Sequence, residues 1–155
     1  MRTIWTCAVS AVVLAAPVSG HDLPATASVA GPAEVHVAVS HLRSVKGTVI
    51  ACLTADPSRF PKCGDDRNAK RTRIAAARAD EIVFRGVQPG RYAVALLHDE
   101  NNNGKADRAM SMIPTEGFGF SRDARVRMGP PRFKDAVFAV GGGDTRMTIT
   151  MRYML

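Results

Sequence analysis

Glu81-Ile82-Val83-Phe84-Arg85-Gly86-Val87-Gln88-Pro89-Gly90-Arg91-Tyr92-Ala93-Val94-Ala95-Leu96-Leu97 decides the fold class of this chain. Glu81–Phe84 is a short β-rich run, and Gly86 to Gly90 is a turn marked by Pro-Gly. Arg91–Leu97 returns with Tyr92, Val94 and Leu96 on one face. An alternation of period two between turn signals is a strand signature, not a helical one.

The same pattern extends in both directions. Upstream, Val35, Val37 and Val39 alternate with His36, Ala38 and Ser40; Gly47–Leu53 is a second β-rich run and Arg71–Ala76 a third. Ala75–Ala79 has helical composition but is too short to stand alone. Downstream, Ala136–Val140 reads as a strand and Gly141–Asp144 as a turn. Arg146–Tyr153 closes the chain, with Met147, Ile149, Met151 and Tyr153 inward and Arg146, Thr148, Thr150 and Arg152 outward. About seven short strands without a convincing helix predict an all-β fold, an antiparallel β-sandwich of immunoglobulin-like type. No internal repeat is visible, and the strands are too few and short for an outer-membrane barrel.

The 155 residues suffice for one domain. Arg2, the apolar run Ile4–Ala16 and Pro17-Val18-Ser19-Gly20 have the layout of a signal peptide over 1–20, cut after Gly20. Residues 21–33 are small and Pro/Ala-rich and are expected to form a flexible arm before the domain at 34–155. Export to the periplasm or medium follows, with no transmembrane segment in the mature chain. Of the three cysteines, Cys7 lies in the signal, so Cys52 and Cys63 remain and are expected to form a disulfide. The net charge of +7 would suit nucleic acid, but export and the lack of interleaved aromatics exclude that partner. The basic clusters Arg67/Lys70/Arg71/Arg73 and Arg122/Arg125/Arg127/Arg132/Lys134 suit an anionic envelope component or polysaccharide instead.

The strand at Arg91–Leu97 runs into His98-Asp99-Glu100-Asn101-Asn102-Asn103-Gly104-Lys105-Ala106-Asp107, an oxygen-rich loop. Calcium loops place oxygen side chains at alternate positions, a glycine at the sixth and a carbonyl ligand at the seventh. With Asp99 first, Asn101, Asn103, Gly104, Lys105 and Asp107 stand at the third, fifth, sixth, seventh and ninth positions. The twelfth, where a bidentate Glu belongs, is Met110; Glu100 and Glu116 are the candidate replacements. Hard oxygens favour calcium over zinc. Asn-Gly is also a preferred tight turn that needs no ion. On the calcium reading, Asp99→Ala is expected to abolish a calcium-induced rise in melting temperature while leaving the metal-free melt nearly unchanged.

The loop continues through Ile113-Pro114-Thr115-Glu116-Gly117-Phe118-Gly119-Phe120-Ser121, too rich in Gly and Pro for helix or regular strand. Phe118, Phe120 and Phe133 are candidates for an apolar surface accepting carbohydrate or peptide, or for side chains that fold the loop onto the sandwich. Catalytic candidates are weak. They are His98 with Asp99 or Glu100, and Ser121; the adjacent His98 and Asp99 face opposite ways on a strand and so do not pair by default, and Ser121 lies outside any nucleophile-elbow motif. A non-catalytic binding module is the preferred reading. The alternative is an exported enzyme using His98, or a copper protein in which an N-terminal His21 acts with His36, His41 or His98.

Four blocks stand in order: Gly90-Arg91-Tyr92-Ala93, His98 to Lys105, Pro114 to Ser121, and Gly129-Pro130-Pro131-Arg132-Phe133. Together they resemble the DUF2141 family of uncharacterised exported bacterial proteins, over about residues 34–153. The resemblance implies a prealbumin-like or carboxypeptidase regulatory-like sandwich and no assigned activity. Ala106 and Ser111-Met112-Ile113 depart from the family pattern, which has Leu before the loop Asp and Gly-Ile/Val-Pro before the Glu-Gly-Phe block. That leaves the loop oxygens intact and loosens their hydrophobic anchoring.

Overall fold

A computed structural model describes residues 31–109, 113–127 and 129–155. The expected signal peptide, its cleavage site, His21 and most of the arm lie outside these residues, as do Met110, Ser111, Met112 and Met128.

The strands are β1 (Ala33–Ser40), β2 (Thr48–Thr54), β3 (Lys70–Ala75), β4 (Glu81–Val87), β5 (Gly90–Asp99), β6 (Arg108–Ala109), β7 (Ile113–Pro114), β8 (Gly117–Phe120), β9 (Phe138–Val140) and β10 (Thr145–Thr150). They form the predicted sandwich. One sheet has the order β10-β1-β4; the other has β3-β2-β5-β8, with β9 also on β5. The expectation of antiparallel pairing holds for every pair but one, since β1 and β10 run parallel. Parallel neighbours need a long connection, and these two strands supply it by sitting at opposite ends of the domain.

The decisive stretch becomes β4, its turn and β5 as read, but β5 is not half-buried. It is the centre of the larger sheet, with β2 along one edge and β8 and β9 along the other. Ala93, Val94, Ala95 and Leu96 are all buried. Val94 and Leu96 face the core between the sheets, with Val35, Val37, Ile82, Phe84 and Ile149. Each such aliphatic side chain contributes about 1.5–3 kcal/mol by leaving water. Ala93 and Ala95 face a second cluster, with Phe120, Ala124 and Ala136. Small residues on that face let aromatic rings press close to the sheet.

Three local expectations change. Gly117–Phe120 is a regular strand, not irregular loop, paired with Ala95–His98 on one side. Its other edge exchanges Phe118 N–H and C=O bonds with Arg152, at 3.0 and 2.9 Å. Its glycines are packing residues: a Cβ on Gly117 would enter the Tyr153 ring, and one on Gly119 would lie 2.8 Å from Ile149 Cγ2. Ala136 ends a helical turn, α1 (Phe133–Ala136), so the strand expected over 136–140 starts at Phe138. Ala33, assigned to the arm, is buried in β1.

Ala76–Arg78 forms one 3-10 turn, held by Ala76 N–H on the Gly47 carbonyl at 3.0 Å. Cys52 and Cys63 are joined in a disulfide, as expected, and both are buried. Closing so short a loop adds about 2–3 kcal/mol, mainly by restricting the unfolded chain.

Candidate functional site

β5 delivers His98 and Asp99 to opposite faces, as strand geometry requires. His98 has no exposed surface. Its Nε2 lies 2.8 Å from the Lys46 carbonyl and its Nδ1 2.7 Å from the Tyr153 hydroxyl. A carbonyl only accepts, so Nε2 carries hydrogen; in the neutral ring Nδ1 then accepts from Tyr153. The Tyr153 oxygen in turn accepts the Arg43 backbone N–H at 3.2 Å. Both ring nitrogens are committed, which leaves none for copper or for a general base. His36 does not approach His98 either, since its nitrogens face Glu34 at 3.3 Å and Glu81 at 3.0 Å. Ser121 is equally occupied: its buried hydroxyl donates to the Ala136 carbonyl at 2.6 Å and accepts Val94 N–H at 2.9 Å.

Glu100 is removed from the set of candidate ligands by Arg43. The guanidinium Nε donates to Glu100 Oε2 at 3.0 Å, and the Ser44 hydroxyl donates to Oε1 at 2.6 Å. The same guanidinium reaches the carbonyls of Thr115 and Leu155 and lies 4.5 Å over the Tyr153 ring. The Arg43 hydrogen bond, with help from the Ser44 hydroxyl and against the effect of burial, holds the Glu100 carboxyl down at about 2, from an ordinary value of 4.5. A carboxylate with a depressed folded-state pKa contributes stability above its unfolded value and loses it as pH falls through the folded one. The Glu100 contribution is therefore present above about pH 4.5 and lost between there and pH 2. Both side chains are partly solvated, so we expect about 1–2 kcal/mol after screening. Urea melts of wild type and Arg43→Met at pH 6 and pH 3 should show the gap between them narrowing in acid by roughly half of that amount, since pH 3 lies inside the window.

Asp99 turns into the loop and has no exposed surface. Its carboxylate accepts Asn103 N–H at 3.0 Å and Gly104 N–H at 2.8 Å. Asn101 Oδ1 also accepts Asn103 N–H at 3.0 Å, and Asn103 Oδ1 accepts Lys105 N–H at 2.8 Å. Those backbone donors fix both amide orientations. The amide nitrogens then donate to Asp107 Oδ2, at 2.7 and 2.6 Å. Gly104 has φ of +73°, the left-handed conformation that the sixth position needs. Asn102, at φ +60°, is left-handed too, as Asn tolerates.

The short β6–β7 hairpin brings the chain back to this loop. Thr115 N–H donates to the Asp107 carbonyl at 3.1 Å, and Glu116 Oε2 accepts Asp107 N–H at 3.3 Å. Glu116 is buried, and its Oε1 has no hydrogen-bond partner. Burial pushes its carboxyl up; the Asp107 N–H opposes this, and Asp99, Asp107 and Glu100 push it further up. The fold thus brings together Asp99, Asn101, Asn103, Asp107 and, of the two candidate replacements, Glu116. Among the described residues, no three His, Cys, Asp or Glu side chains converge tightly enough to hold a metal by themselves. Any cation here depends on amide and backbone oxygens as well. Because Asp99 accepts two backbone N–H groups of the loop, Asp99→Ala is expected to lower the metal-free melt, in place of the nearly unchanged melt expected from the sequence.

These blocks therefore have separate tasks: His98 and Glu100 anchor the loop to Arg43 and Tyr153, Gly117 and Gly119 admit Tyr153 and Ile149, and Ser121 ties β8 to α1. The sequence profile of DUF2141, an uncharacterised protein conserved in bacteria, matches residues 37–148. The chain belongs to the DUF2141 family. No curated protein and no solved structure matches it. In this DUF2141 domain the anchoring partners Arg43, Lys46 and Tyr153 escaped sequence reading. They lie outside the loop; the alternation of the last strand marks Tyr153 as inward but not its partner, and nothing in their local pattern distinguishes Arg43 or Lys46.

Phe118, Phe120 and Phe133 are also brought together, but by packing. Phe120 is buried and Phe118 and Phe133 are half-buried around the second cluster. Phe60 meets Phe120 and Phe133 edge-on, with ring centroids 5.8 and 6.0 Å apart. The rings fold the long loop onto the sheet and do not form an open accepting surface. No helix among the described residues is long and apolar enough to cross a membrane.

Proposed function

We propose that this is an exported, non-catalytic binding domain whose Asp99–Asp107 loop takes up calcium with Glu116. The buried Glu116 oxygen without a partner, placed beside Asp107, is the observation that carries this reading. A buried carboxylate among other carboxylates is costly unless something positive joins it. A calcium ion would supply that charge. The Asp99, Asn101 and Asn103 oxygens and the Lys105 carbonyl would complete an oxygen shell, since each oxygen bonded to a backbone N–H retains a second lone pair. The basic, apolar and small-residue order of residues 1–20 supports export, and so does the Cys52–Cys63 disulfide.

With few formal charges at the site, affinity falls in the extracellular range, roughly 10⁻⁴–10⁻³ M. At ten times the dissociation constant, binding adds about 1.4 kcal/mol, which raises the melt by about 3–6 °C for a domain of this size. Glu116→Gln gives the discriminating result. Without calcium it melts at or above wild type, because an uncharged amide replaces a carboxylate that burial disfavours. With calcium it gains nothing. Differential scanning calorimetry of both proteins with and without 10 mM calcium checks this. A wild-type melt insensitive to calcium, or an unchanged calcium shift in Glu116→Gln, removes the proposal.

A further inference from the structure

The second basic cluster of the sequence is gathered around one open concavity of about 970 Å³. It is lined by Arg122, Arg125, Arg127, Arg132 and Lys134, on the segment that leaves β8 and enters α1. Two carboxylates share the lining, and both are engaged. Asp123 accepts Thr150 N–H at 2.9 Å and the Thr150 hydroxyl at 3.2 Å, and Asp135 lies 3.8 Å from Arg132. Arg122 donates to the Val137 carbonyl, at 3.3 Å. Among the described residues, Arg122, Arg125, Arg127 and Lys134 thus have no carboxylate partner.

The turn that presents Arg122, at the head of this segment, is fixed. Arg122 and Asp123 are consecutive left-handed residues, φ 59° and 48°, a conformation that residues with side chains rarely adopt. The buried Ser121 hydroxyl, bonded to Val94 and Ala136, pins the turn from one side, and Asp123 on Thr150 pins it from the other. Placing like charges together on a rigid frame is unfavourable without a counter-charge.

The lining also indicates what kind of anion fits. Among the described residues, the uncharged lining around the cations is Gly129, Pro130, Pro131 and Ala124, with no aromatic ring for a nucleobase and no long aliphatic side chain for an acyl tail. A guanidinium fork pairs with either carboxylate or phosphate. A phosphomonoester carries about −1.5 to −2 and three acceptor oxygens, so one group can bridge two guanidiniums. Four cations without partners match two such groups on a polar body.

We propose that this groove binds a saccharide carrying two phosphomonoesters. The site is independent of the calcium loop. Titration calorimetry of the whole protein with glucose 1,6-bisphosphate at low salt tests it. Saturable binding is expected, at least tenfold weaker in Arg125→Ala/Arg127→Ala, a variant that should melt within a few degrees of wild type because both side chains are exposed. Arg78→Ala/Arg91→Ala, which removes the same charge from exposed positions elsewhere, should stay within twofold of wild type. Any of four results overturns the proposal: no saturable binding, equal loss in the charge-matched control, equally tight binding of oligogalacturonate, or capture by anionic phospholipid vesicles without binding of the bisphosphate.

Discussion

His98→Ala is expected to lower stability by about 3–5 kcal/mol, the largest single-residue effect outside the apolar core. The ring is fully buried at the end of β5 and meets Tyr153 edge-on, with centroids 6.0 Å apart. Truncation leaves a cavity. It also breaks the part-buried bonds to the Lys46 carbonyl and the Tyr153 hydroxyl, each worth about 0.5–1.5 kcal/mol. Over a domain of this size the melt should fall by about 10–20 °C. Tyr153→Phe removes two hydrogen bonds, the one to His98 and the one from the Arg43 N–H, and no volume to speak of, so its loss should be about 1–2 kcal/mol. The double variant should lose less than the sum of the two, because each single change already breaks the bond they share. Thermal melts of the three proteins decide the matter. A His98→Ala melt within about 3 °C of wild type would show that the ring does not anchor the loop.

This anchoring was not legible in the chain, although its consequences were. The alternation in Glu81–Leu97 is local, set by residues two apart, so β4 and β5 could be read directly. The same holds for the oxygen spacing from Asp99 to Asp107 and for the Cys52–Cys63 pair. What could not be read depends on distant partners. Gly117-Phe118-Gly119-Phe120 has the composition of a loop, and it becomes strand because Tyr153 and Ile149 occupy the space its missing side chains leave. Glu100 and Glu116 were equivalent candidates by composition. Arg43, far upstream, takes the first, and the β6–β7 hairpin delivers the second to Asp107. Ala93 and Ala95 look like the exposed face of an amphipathic strand. They are buried because Phe60, Phe120 and Phe133 cover them, and no two-residue period reports that cover.

Gly47 shows how tightly the loop base is held. It has φ of +70°, and a Cβ there would run into the Asp99 carbonyl and Glu100 backbone. The loop carrying Lys46 and Gly47 therefore packs directly on the strand end from which the oxygen-rich loop departs. The loop begins from a fixed point, with His98 bonded to Lys46 below it and Glu100 bonded to Arg43 beside it. A cation site needs this arrangement, because ligands held before binding incur less ordering entropy on capture.

Asp99→Ala is expected to remove about 2–4 kcal/mol even without any metal, and to abolish the calcium response as well. Two backbone N–H groups, of Asn103 and Gly104, converge on this carboxylate. A hydrogen bond to a charged group contributes about 1.5–3 kcal/mol. Asn103 and Gly104 are exposed, so water recovers part of that on truncation. The melt should fall by about 6–15 °C. Asp99→Asn should fall between wild type and Asp99→Ala. Its oxygen can still accept Asn103 N–H, but its amide would then face Gly104 N–H, donor against donor. Glu116→Gln provides the opposite sign, since it relieves a buried carboxylate and leaves the loop bonds of Asp99 in place. The two positions therefore separate folding from binding: both variants lose the calcium shift, but only Asp99→Ala starts from a lower metal-free melt. If Asp99→Ala melts like wild type without calcium, its bonds to Asn103 and Gly104 contribute nothing and its burial needs another cause. If it melts low but keeps the calcium shift, Asp99 organises the loop without being a ligand, and the ion would have to be held by Asp107, Glu116 and the amide oxygens alone.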